Sequence, residues 1–351
     1  MRFHVLAPPN TQTTHAYSLD GFTIATIKFC RILKMLGHYV ILYGSEETDA
    51  PCDELVTVIT KQEQKDLMLD SAYQYAAPDG RIGLWAVSSG RMIGEISKRK
   101  QPQDFICLIG GVAQKIVAEA HPDLMTVEYS IGYVGSFSKY KVFESHAWRH
   151  VTQGIQNNAE GSLMTDAVIP YFFDPAEFPF RVEKEPFILY VGRLTPRKGL
   201  VIACQAAEAA GVKLKVIGHG DEGLVTNGAE YLGALDNKER NEWMSRASAL
   251  IAPTMYVEPF GAVVAEAQLC GTPVITTDFG GFIETVEDGK TGFRCSYLGE
   301  FVRAIKRVGY LDPLYIRERA ERLYSLAAVA PQYQKYFDRL SLLWKDGWDT
   351  L

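Results

Sequence analysis

Short apolar runs alternate with helical patterns along this chain of 351 residues. In the first half the runs are FHVLAP, YVILYG, ELVTVIT, DFICLIGG and LMTVEYSIG, and a helical pattern over residues 22–36 follows the first of them. Strands that alternate with helices are typical of a parallel sheet covered on both faces, because a parallel crossover needs a helix-length connection. The pattern therefore predicts an α/β fold.

A proline-rich stretch over residues 168–186, VIPYFFDPAEFPFRVEKEP, separates this alternation from a second one. The second series of runs is FILYVGRL, KLKVIGHG, EYLGAL, ALIAPT, PVITTD and GFRC. A chain of this length exceeds what one hydrophobic core usually organises. We therefore predict two doubly wound Rossmann-like domains, residues 1–168 and 169–331, that face a central cleft, with an aromatic-rich helix at about 332–351 packed back onto the first domain.

The composition bounds the class of protein. A formal net charge of −6, with neither half strongly basic, gives no broad electrostatic footprint for nucleic acid or anionic lipid. The six cysteines lack CxxC spacing, as expected of free thiols in a reduced, cytoplasmic protein. No apolar run approaches about 18 residues, so we expect no transmembrane segment, and MRFHVLAPPN reads as a first strand rather than a signal peptide.

The segment EPFGAVVAEAQLCGTPVI places Glu258 and Glu266 eight positions apart, the first before a turn and the second inside an apolar helix. The amides at the helix start, those of Phe260, Gly261 and Ala262, form a natural seat for a phosphate or a sugar hydroxyl. Glu266 lies roughly 7.5 Å further along the helix, at about 1.5 Å per residue, so one elongated ligand can touch both.

Helical periodicity refines the position of Glu266. At about 100° per residue Glu266 lies at the border of a buried stripe and Gln268 points away from it. The stripe consists of Val263, Val264, Ala267 and Cys270. A carboxylate at such a border faces a crevice or pairs with a neighbour, so an ordinary salt bridge for Glu266 and an exposed loop position for Glu258 stay open as the alternative.

Two further motifs follow strands of the second series. In YVGRLTPRKGL, Arg193 and Lys198 lie on one turn and can converge on a single anion above the carboxyl end of the sheet, although two solvated cations would give the same pattern. In TDFGGFIETVEDGKTGF, Gly280 and Gly281 follow a buried strand, as a backbone that approaches a ligand closely would, although a simple turn also explains them.

Together these motifs resemble one family. The pieces VIPYFFDPAEF, VGRLTPRKG, VIGHGDE and EPFGAVVAEAQLCGTPVITTDFGGFIETVEDGKTGF, over about 165–293, resemble the retaining glycosyltransferases of the glycogen-synthase and mannosyltransferase-like family, glycosyltransferase family four type, which has the GT-B fold. The resemblance implies a nucleoside-diphosphate sugar as co-substrate, no cofactor and no metal. It also implies transfer with retained configuration, in which the leaving diphosphate takes the acceptor's proton.

The resemblance assigns roles to residues of the second half. Arg193 and Lys198 would hold the donor diphosphate, Glu266 the ribose hydroxyls, and Glu258 with the amides at 260–262 the transferred sugar. The glycines of the same motifs complete the donor-binding set; they are Gly192, Gly280 and Gly281.

The first half departs from the family pattern. Where the family commonly has a histidine after a central strand, LMTVEYSIGY places Glu128, which either contacts the sugar or acceptor as a catalytic residue or is a structural acid. The loop PPNTQTTHAYSLDGFT lacks the usual glycine pair, and Gly21 is the nearest donor-side substitute. His146 and His150 share one helical face, which suggests a metal, but no third ligand is evident, so we prefer packing or substrate contact.

The acceptor is not specified by these motifs. With no basic apolar patch for a lipid surface, we expect a glycan or another soluble or polymeric hydroxyl compound, and hydroxylated bases of DNA stay open. Three other classes are a non-catalytic nucleotide-sugar-binding protein, a related-fold sugar-nucleotide epimerase, which the linker and the Glu258–Glu266 spacing fit less well, and a glycoside hydrolase that uses Glu258 and Glu266. The hydrolase would need the two carboxyls about 5–5.5 or 6.5–9.5 Å apart across one bond, which a turn and a helix between them disfavour.

Overall fold

The computed structural model describes residues 1–17, 20–67, 83–156 and 164–346. The strands in these ranges are β1 (Arg2–Leu6), β2 (Tyr39–Ser45), β3 (Glu54–Ile59), β4 (Phe105–Leu108), β5 (Met125–Ile131), β6 (Tyr140–Phe143), β7 (Ala167–Val168), β8 (Glu185–Val191), β9 (Lys213–Ile217), β10 (Glu230–Gly233), β11 (Ala247–Ala252), β12 (Val274–Thr277) and β13 (Gly292–Cys295). The helices are α1 (Gly21–Met35), α2 (Lys61–Leu67), α3 (Gly83–Arg99), α4 (Lys115–Glu119), α5 (His146–Ile155), α6 (Leu200–Ala210), α7 (Asn237–Arg246), α8 (Ala262–Leu269), α9 (Phe282–Thr285), α10 (Leu298–Arg307), α11 (Pro313–Tyr324) and α12 (Leu326–Asp346).

The chain divides into two compact units. The N-terminal unit comprises Met1–Glu144, Val151–Ile169 and Ala330–Leu351, within the described ranges. The C-terminal unit comprises Ser145–His150 and Pro170–Val329. Each unit contains its own parallel sheet, which confirms the predicted α/β class with two parallel-sheet domains.

The N-terminal unit is built on a sheet of seven parallel strands in the order β3-β2-β1-β4-β5-β6-β7. The five apolar runs predicted as strands form β1 to β5, and β4 is buried along its whole length. The sequence did not predict β6, which lies between the last predicted strand and His146, nor β7, which has two residues. Both lie at one end of the sheet, where a strand needs fewer apolar residues.

Aromatic side chains of α12 pack on the sheet of the N-terminal unit. The ring of Phe337 meets that of Phe3 edge-on, with centroids 4.7 Å apart, and Tyr333 meets Phe29 in the same way at 5.4 Å. Phe29 in turn stacks on Tyr129 at 3.9 Å. Edge-on and stacked rings of this kind add to the stabilisation from apolar burial. The aromatic density of the last segment therefore belongs to a core.

The C-terminal unit has six parallel strands in the order β10-β9-β8-β11-β12-β13. The strand order reverses between β8 and β11, since β9 follows β8 on one side and β11 lies on the other. Ligands of doubly wound sheets bind outside the carboxyl ends of the strands at this switch point. The turn after β8 and the turn after β11 therefore meet at the position where a ligand site is expected.

Within the described ranges, none of the helices combines the length and the apolar character of a membrane-spanning segment.

Candidate functional site

The turn after β8 carries Arg193 and Lys198. The hydroxyl of Tyr190 donates to the carbonyl oxygen of Arg193 at 3.0 Å, which ties the turn to the strand before it. A side chain at Gly199, whose φ is +74°, would place its Cβ 1.9 Å from the carbonyl oxygen of Pro253. The turn after β8 thus lies directly against the chain that leaves β11, and only glycine fits between them.

The same turn also packs on the loop after β9. The amide of Leu194 donates to the carbonyl of His219 at 2.8 Å, and the amide of Asp221 donates to the carbonyl of Leu194 at 3.0 Å. A Cβ at Gly218 would lie 1.9 Å from the carbonyl oxygen of Gly192. The glycines of VIGHGDE are therefore required by backbone packing, which fixes the position of the cationic turn.

Lys198 and Glu258 form an ion pair at the meeting point of the two turns. The Nζ of Lys198 lies 2.7 Å from Oε2 of Glu258, and the two side chains are only 19% and 14% exposed. The ring of Tyr256 lies beside the pair, with its centroid 4.9 Å from the Nζ of Lys198 and 4.8 Å from the guanidinium of Arg197. The sequence predicted a cation and an acid here, and missed Tyr256, which is two residues before Glu258.

The pKa of the Tyr256 hydroxyl reports the charges around it. Burial raises this pKa above its usual value, the carboxylate of Glu258 raises it further, and the positive charges of Arg197 and Arg193 oppose the rise. Tyr256 therefore keeps its proton and can donate to Glu258. The charges of Glu258, Arg197 and Arg193 thus all act on the Tyr256 hydroxyl.

The two glycines after β12 support the turn that carries Glu258. The amide of Gly281 donates to the carbonyl of Glu258 at 2.8 Å, and a Cβ at Gly280 would lie 2.9 Å from the amide nitrogen of Glu258. The double glycine after a buried strand predicts a backbone that approaches a ligand closely. The close approach that the structure contains is to the EPFG turn itself, so these glycines position Glu258.

Helix α8 begins at this turn. Gly261 has a φ of +81°, and a Cβ there would lie 2.5 Å from the ring of Phe282, so the sharp entry into the helix needs glycine. Phe260 is buried and its ring packs edge-on against Tyr324 at 5.4 Å. Ala262 is the first residue of the helix, and the amides of this first turn are those that helix geometry leaves without intrahelical acceptors.

Glu266 pairs with Arg240, an arginine outside the sequence motifs. Its Oε2 lies 3.0 Å from Nη2 of Arg240 on α7. The structure therefore contains the salt bridge that was one of the two interpretations of Glu266. The prediction that Gln268 points away from the buried stripe is wrong, because Gln268 is fully buried. Its side-chain amide donates to the carbonyl of Thr285 at 2.9 Å.

Glu128, in the N-terminal unit, is fully buried. One carboxylate oxygen accepts the amides of Phe137 and Ser138, both at 2.8 Å, and the other accepts the hydroxyl of Tyr133 at 3.3 Å. Burial raises the pKa of Glu128, against the lowering effect of these amide donors. Both oxygens hold the loop that follows β5, which is the arrangement expected of a structural acid.

Gly21 is the exposed first residue of α1. The carboxylate of Asp20 accepts the amide of Thr23 at 2.8 Å and so caps the helix. A Cβ at Gly21 would meet nothing within 4 Å, so packing does not require glycine at this position.

The segment Ser145–His150 joins the C-terminal unit at the site. The hydroxyl of Ser145 donates to the carbonyl of Pro259, and the amides of His146 and Ala147 donate to the carboxylate of Glu284 at 2.9 and 2.8 Å. Ser145 also caps α5, which a serine before a helix can signal in sequence. The long-range contacts had no such signal.

His146 and His150 are both exposed. Among the described residues, no group of three or more His, Cys, Asp or Glu side chains is arranged to hold a metal ion.

Part of the C-terminal unit is similar in sequence to known proteins. Residues 176–308 match the family described as glycosyl transferases group 1. A phosphatidyl-myo-inositol mannosyltransferase of Propionibacterium freudenreichii is 34% identical over 167 residues, which are 44% of this chain and 43% of the relative. A glycogen synthase of Mycobacterium tuberculosis is 33% identical over 148 residues, 37% of this chain and 36% of the relative. The chain thus spans less than half the length of these curated relatives.

Solved structures match over nearly the whole chain. The sucrose-phosphate synthase of Thermosynechococcus elongatus has a TM-score of 0.71 at 18% identity and covers 97% of this chain and 99% of its own. AviGT4, a glycosyltransferase of avilamycin A biosynthesis, has a TM-score of 0.69 at 19% identity, covering 97% and 98%. Anabaena HepE, solved with UDP-glucose, has a TM-score of 0.67 at 18% identity, covering 98% and 100%. The chain has the GT-B fold, and residues 176–308 of its C-terminal unit match the glycosyl transferases group 1 family.

Proposed function

We propose that this protein is a retaining glycosyltransferase that moves a sugar from a nucleoside-diphosphate sugar to an acceptor hydroxyl. The observation that carries the proposal is the Lys198–Glu258 pair, half-buried at the carboxyl ends of β8 and β11 within the group 1 domain. In this pair Lys198, a cation suited to a diphosphate, lies beside Glu258, an acid suited to sugar hydroxyls. A donor of this class presents the two groups in adjacent positions.

The proposed chemistry uses the charges of the site. The bond between the anomeric carbon and the diphosphate oxygen breaks, and the bond to the acceptor oxygen forms on the same face of the sugar. The acceptor's proton passes to the leaving phosphate oxygen, so the step needs no protein base. Arg193 and Lys198 stabilise the charge that develops on the diphosphate, as preorganised cations do in other transferases. The proposal includes no metal and no other cofactor.

The donor is held along its length in this proposal. The amides at the start of α8 and the carboxylate of Glu258 bind the sugar and its neighbouring phosphate, and Glu266 accepts the ribose hydroxyls. Since HepE, which has a similar fold, was solved in complex with UDP-glucose, UDP-sugars are the first donors to test. For the acceptor we propose a glycan or another hydroxyl compound; the named relatives act at a phosphatidyl-inositol and at glycogen.

A thermal-shift screen with nucleoside diphosphates and their sugars gives the first test. A ligand at about 100 times its Kd stabilises the folded state by about 2.7 kcal/mol, which produces a clear rise in Tm. Transfer is then measured as release of the nucleoside diphosphate with glycan acceptors. No stabilisation by any of these nucleotides would contradict the proposal, and donor binding without hydrolysis or transfer would favour a non-catalytic binding protein.

Replacement of Lys198 by Ala tests the carrying observation. We expect kcat/KM to fall about 100-fold or more, because a preorganised charge at the leaving group contributes on this scale. Lys215→Ala is the matched control, since Lys215 lies in the same unit and pairs with Glu230 at 2.6 Å. Its turnover should stay within about twofold of wild type. Equal activity of the two variants would remove the diphosphate role of Lys198.

The hydrolase alternative has a separate test. Glu258 and Glu266 each pair with a different cation, Lys198 and Arg240, instead of facing one bond together. We expect no release of sugar from aryl glycosides in the absence of a nucleotide sugar. Efficient release would replace the transferase proposal.

A further inference from the structure

Arg240 lies against the acid that the proposed function places at the ribose. We infer that Arg240 is a positioning residue that orients the Glu266 carboxylate towards the ribose hydroxyls of the donor; the inference rests on the proposed function. The pair is direct, with 3.0 Å between Nη2 of Arg240 and Oε2 of Glu266. The two side chains are 18% and 14% exposed.

The topology places this pair at the ligand edge of the sheet. In a parallel sheet each connecting helix runs back against the strands, so α7 and α8 both begin beside the carboxyl ends. Arg240 lies in the first turn or so of α7 and Glu266 in the second turn of α8. Because side chains of a helix lean towards its N-terminus, the Glu266 carboxylate is directed back to the start of α8. That start is the EPFG turn.

The contact leaves the carboxylate able to bind a ligand. A carboxylate has about four acceptor positions on its two oxygens. The guanidinium of Arg240 contacts Oε2 and holds the carboxylate in one orientation, which leaves Oε1 for hydroxyl donors. A ribose diol presents two such donors. Without Arg240 the half-buried carboxylate would rotate more freely and would lose its counter-charge.

The details of the pair favour function over stability. Among the described residues, the buried Nε–H of Arg240 has no hydrogen-bond partner. A buried donor without a partner lowers stability, and a half-buried ion pair contributes little to it. If the pair served only to join α7 to α8, an apolar contact would do so at least as well. The helix α7 carries a second arginine pair, Arg246 with Glu185, which provides a comparison within the same helix.

The test compares nucleotides with and without ribose hydroxyls. Calorimetry measures the binding of UDP, GDP and ADP, each beside its 2′,3′-dideoxy form, to wild type, Arg240→Met, Arg240→Lys and the control Arg246→Met. We expect wild type to prefer the ribose form about tenfold or more, as loss of a charge-assisted hydrogen bond implies. Arg240→Met should reduce the preference to about threefold or less by weakening only the ribose form, and Arg240→Lys should recover much of it.

The control and the outcomes separate the two proposals. Arg246→Met should keep the full preference for ribose, since its partner Glu185 lies at the start of β8. In turnover, Arg240→Met should raise the donor KM and leave kcat near wild type, a split that a general loss of packing would not produce. A ribose preference unchanged in Arg240→Met and Arg240→Lys would overturn the inference alone. Failure of wild type to bind any of the three nucleotides would overturn the proposed function with it.

Discussion

Glu128 lies where the glycosyltransferase family that this sequence resembles commonly has a histidine. Its hydrogen-bond partners indicate a structural role. Its carboxylate anchors the amides of Phe137 and Ser138. We expect Glu128→Ala to lower the free energy of unfolding by about 2–4 kcal/mol, because it leaves buried donors without acceptors. Glu128→Gln keeps an acceptor oxygen and should lose about 1 kcal/mol or less. Urea denaturation measures both differences.

Turnover of Glu128→Gln separates the two roles that the sequence left open. A structural acid can be replaced by its amide with most of the activity kept. If Glu128→Gln retained wild-type stability and lost turnover about 100-fold or more, the residue would be catalytic and the structural account would be wrong.

The sequence could predict single residues of the site only where a motif marked them. Glu258, Lys198 and the glycines of the motifs are brought to one edge of the C-terminal sheet. No motif contains Arg240, which lies in the polar stretch NKERNEWMSR, where any charged residue is expected to be solvated. Gln268 was misplaced because α8 packs on both α7 and α11, and a helix covered on more than one side has no solvent face for periodicity to find. The ligand roles of these residues stay predictions.

At the scale of elements, the turn after β8 is held by glycine. Gly199 and Gly211 have nearly the same φ, +74° and +72°, but a Cβ at Gly199 would collide with Pro253 and one at Gly211 would meet nothing within 4 Å. Gly211→Ala should therefore lower the free energy of unfolding by about 1 kcal/mol, because only the left-handed backbone conformation disfavours alanine there. Gly199→Ala should cost about 3 kcal/mol or more, because the turn must also move.

Donor binding gives this comparison a second readout. Lys198 precedes Gly199, so a displaced turn also displaces the cation. We expect Gly199→Ala to weaken nucleoside-diphosphate binding about tenfold or more and Gly211→Ala to leave it unchanged, by calorimetry at a temperature where both are folded. Equal stability and equal binding in the two variants would show that contact with the β11 turn does not fix the position of Lys198.

Elements were predictable in proportion to their apolar contrast. The runs FILYVGRL and PVITTD became β8 and β12 because buried parallel strands are apolar on both faces. Strand β6, with the residues YKVF, is short and mixed, and β7 has two residues. Their pairing is determined by the neighbouring strand and not by their own composition, so a local pattern could not reveal them.

At the scale of the whole molecule, the assignment of Ser145–His150 to the C-terminal unit could not be predicted. Its contacts within that unit, from His146 and Ala147 to Glu284, join residues 138 and 137 positions apart. Hydrogen bonds between backbone amides and a distant carboxylate leave no periodicity in the sequence. The predicted division into residues 1–168 and 169–331 followed the two strand–helix series and the proline-rich stretch between them, which cannot assign a six-residue segment.

Three buried histidines, all in the N-terminal unit, give the molecule an expected response to acid. Burial lowers the pKa of His4, His38 and His121 below the value of an exposed imidazole, although Asp104 partly opposes this at His4. The unfolded chain therefore binds more protons than the folded chain once the pH falls through about 6.5. Their contribution to stability is complete above that pH and is lost progressively below it, at up to about 1.4 kcal/mol per pH unit for each proton.

Urea denaturation at pH 7.5, 6.5 and 5.5 measures this response. We expect little change between the first two values and a steep loss of stability towards the third. The window lies above the range of acids such as Glu63, whose pKa the Arg91 guanidinium lowers to about 2, so their protonation contributes at lower pH. His121→Gln and His4→Gln should each flatten the slope by up to one proton, whatever their effect on stability at pH 7.5. A slope below pH 6.5 that is zero, or that both substitutions leave unchanged, would mean that these imidazoles are protonated in the folded protein as readily as in the unfolded chain.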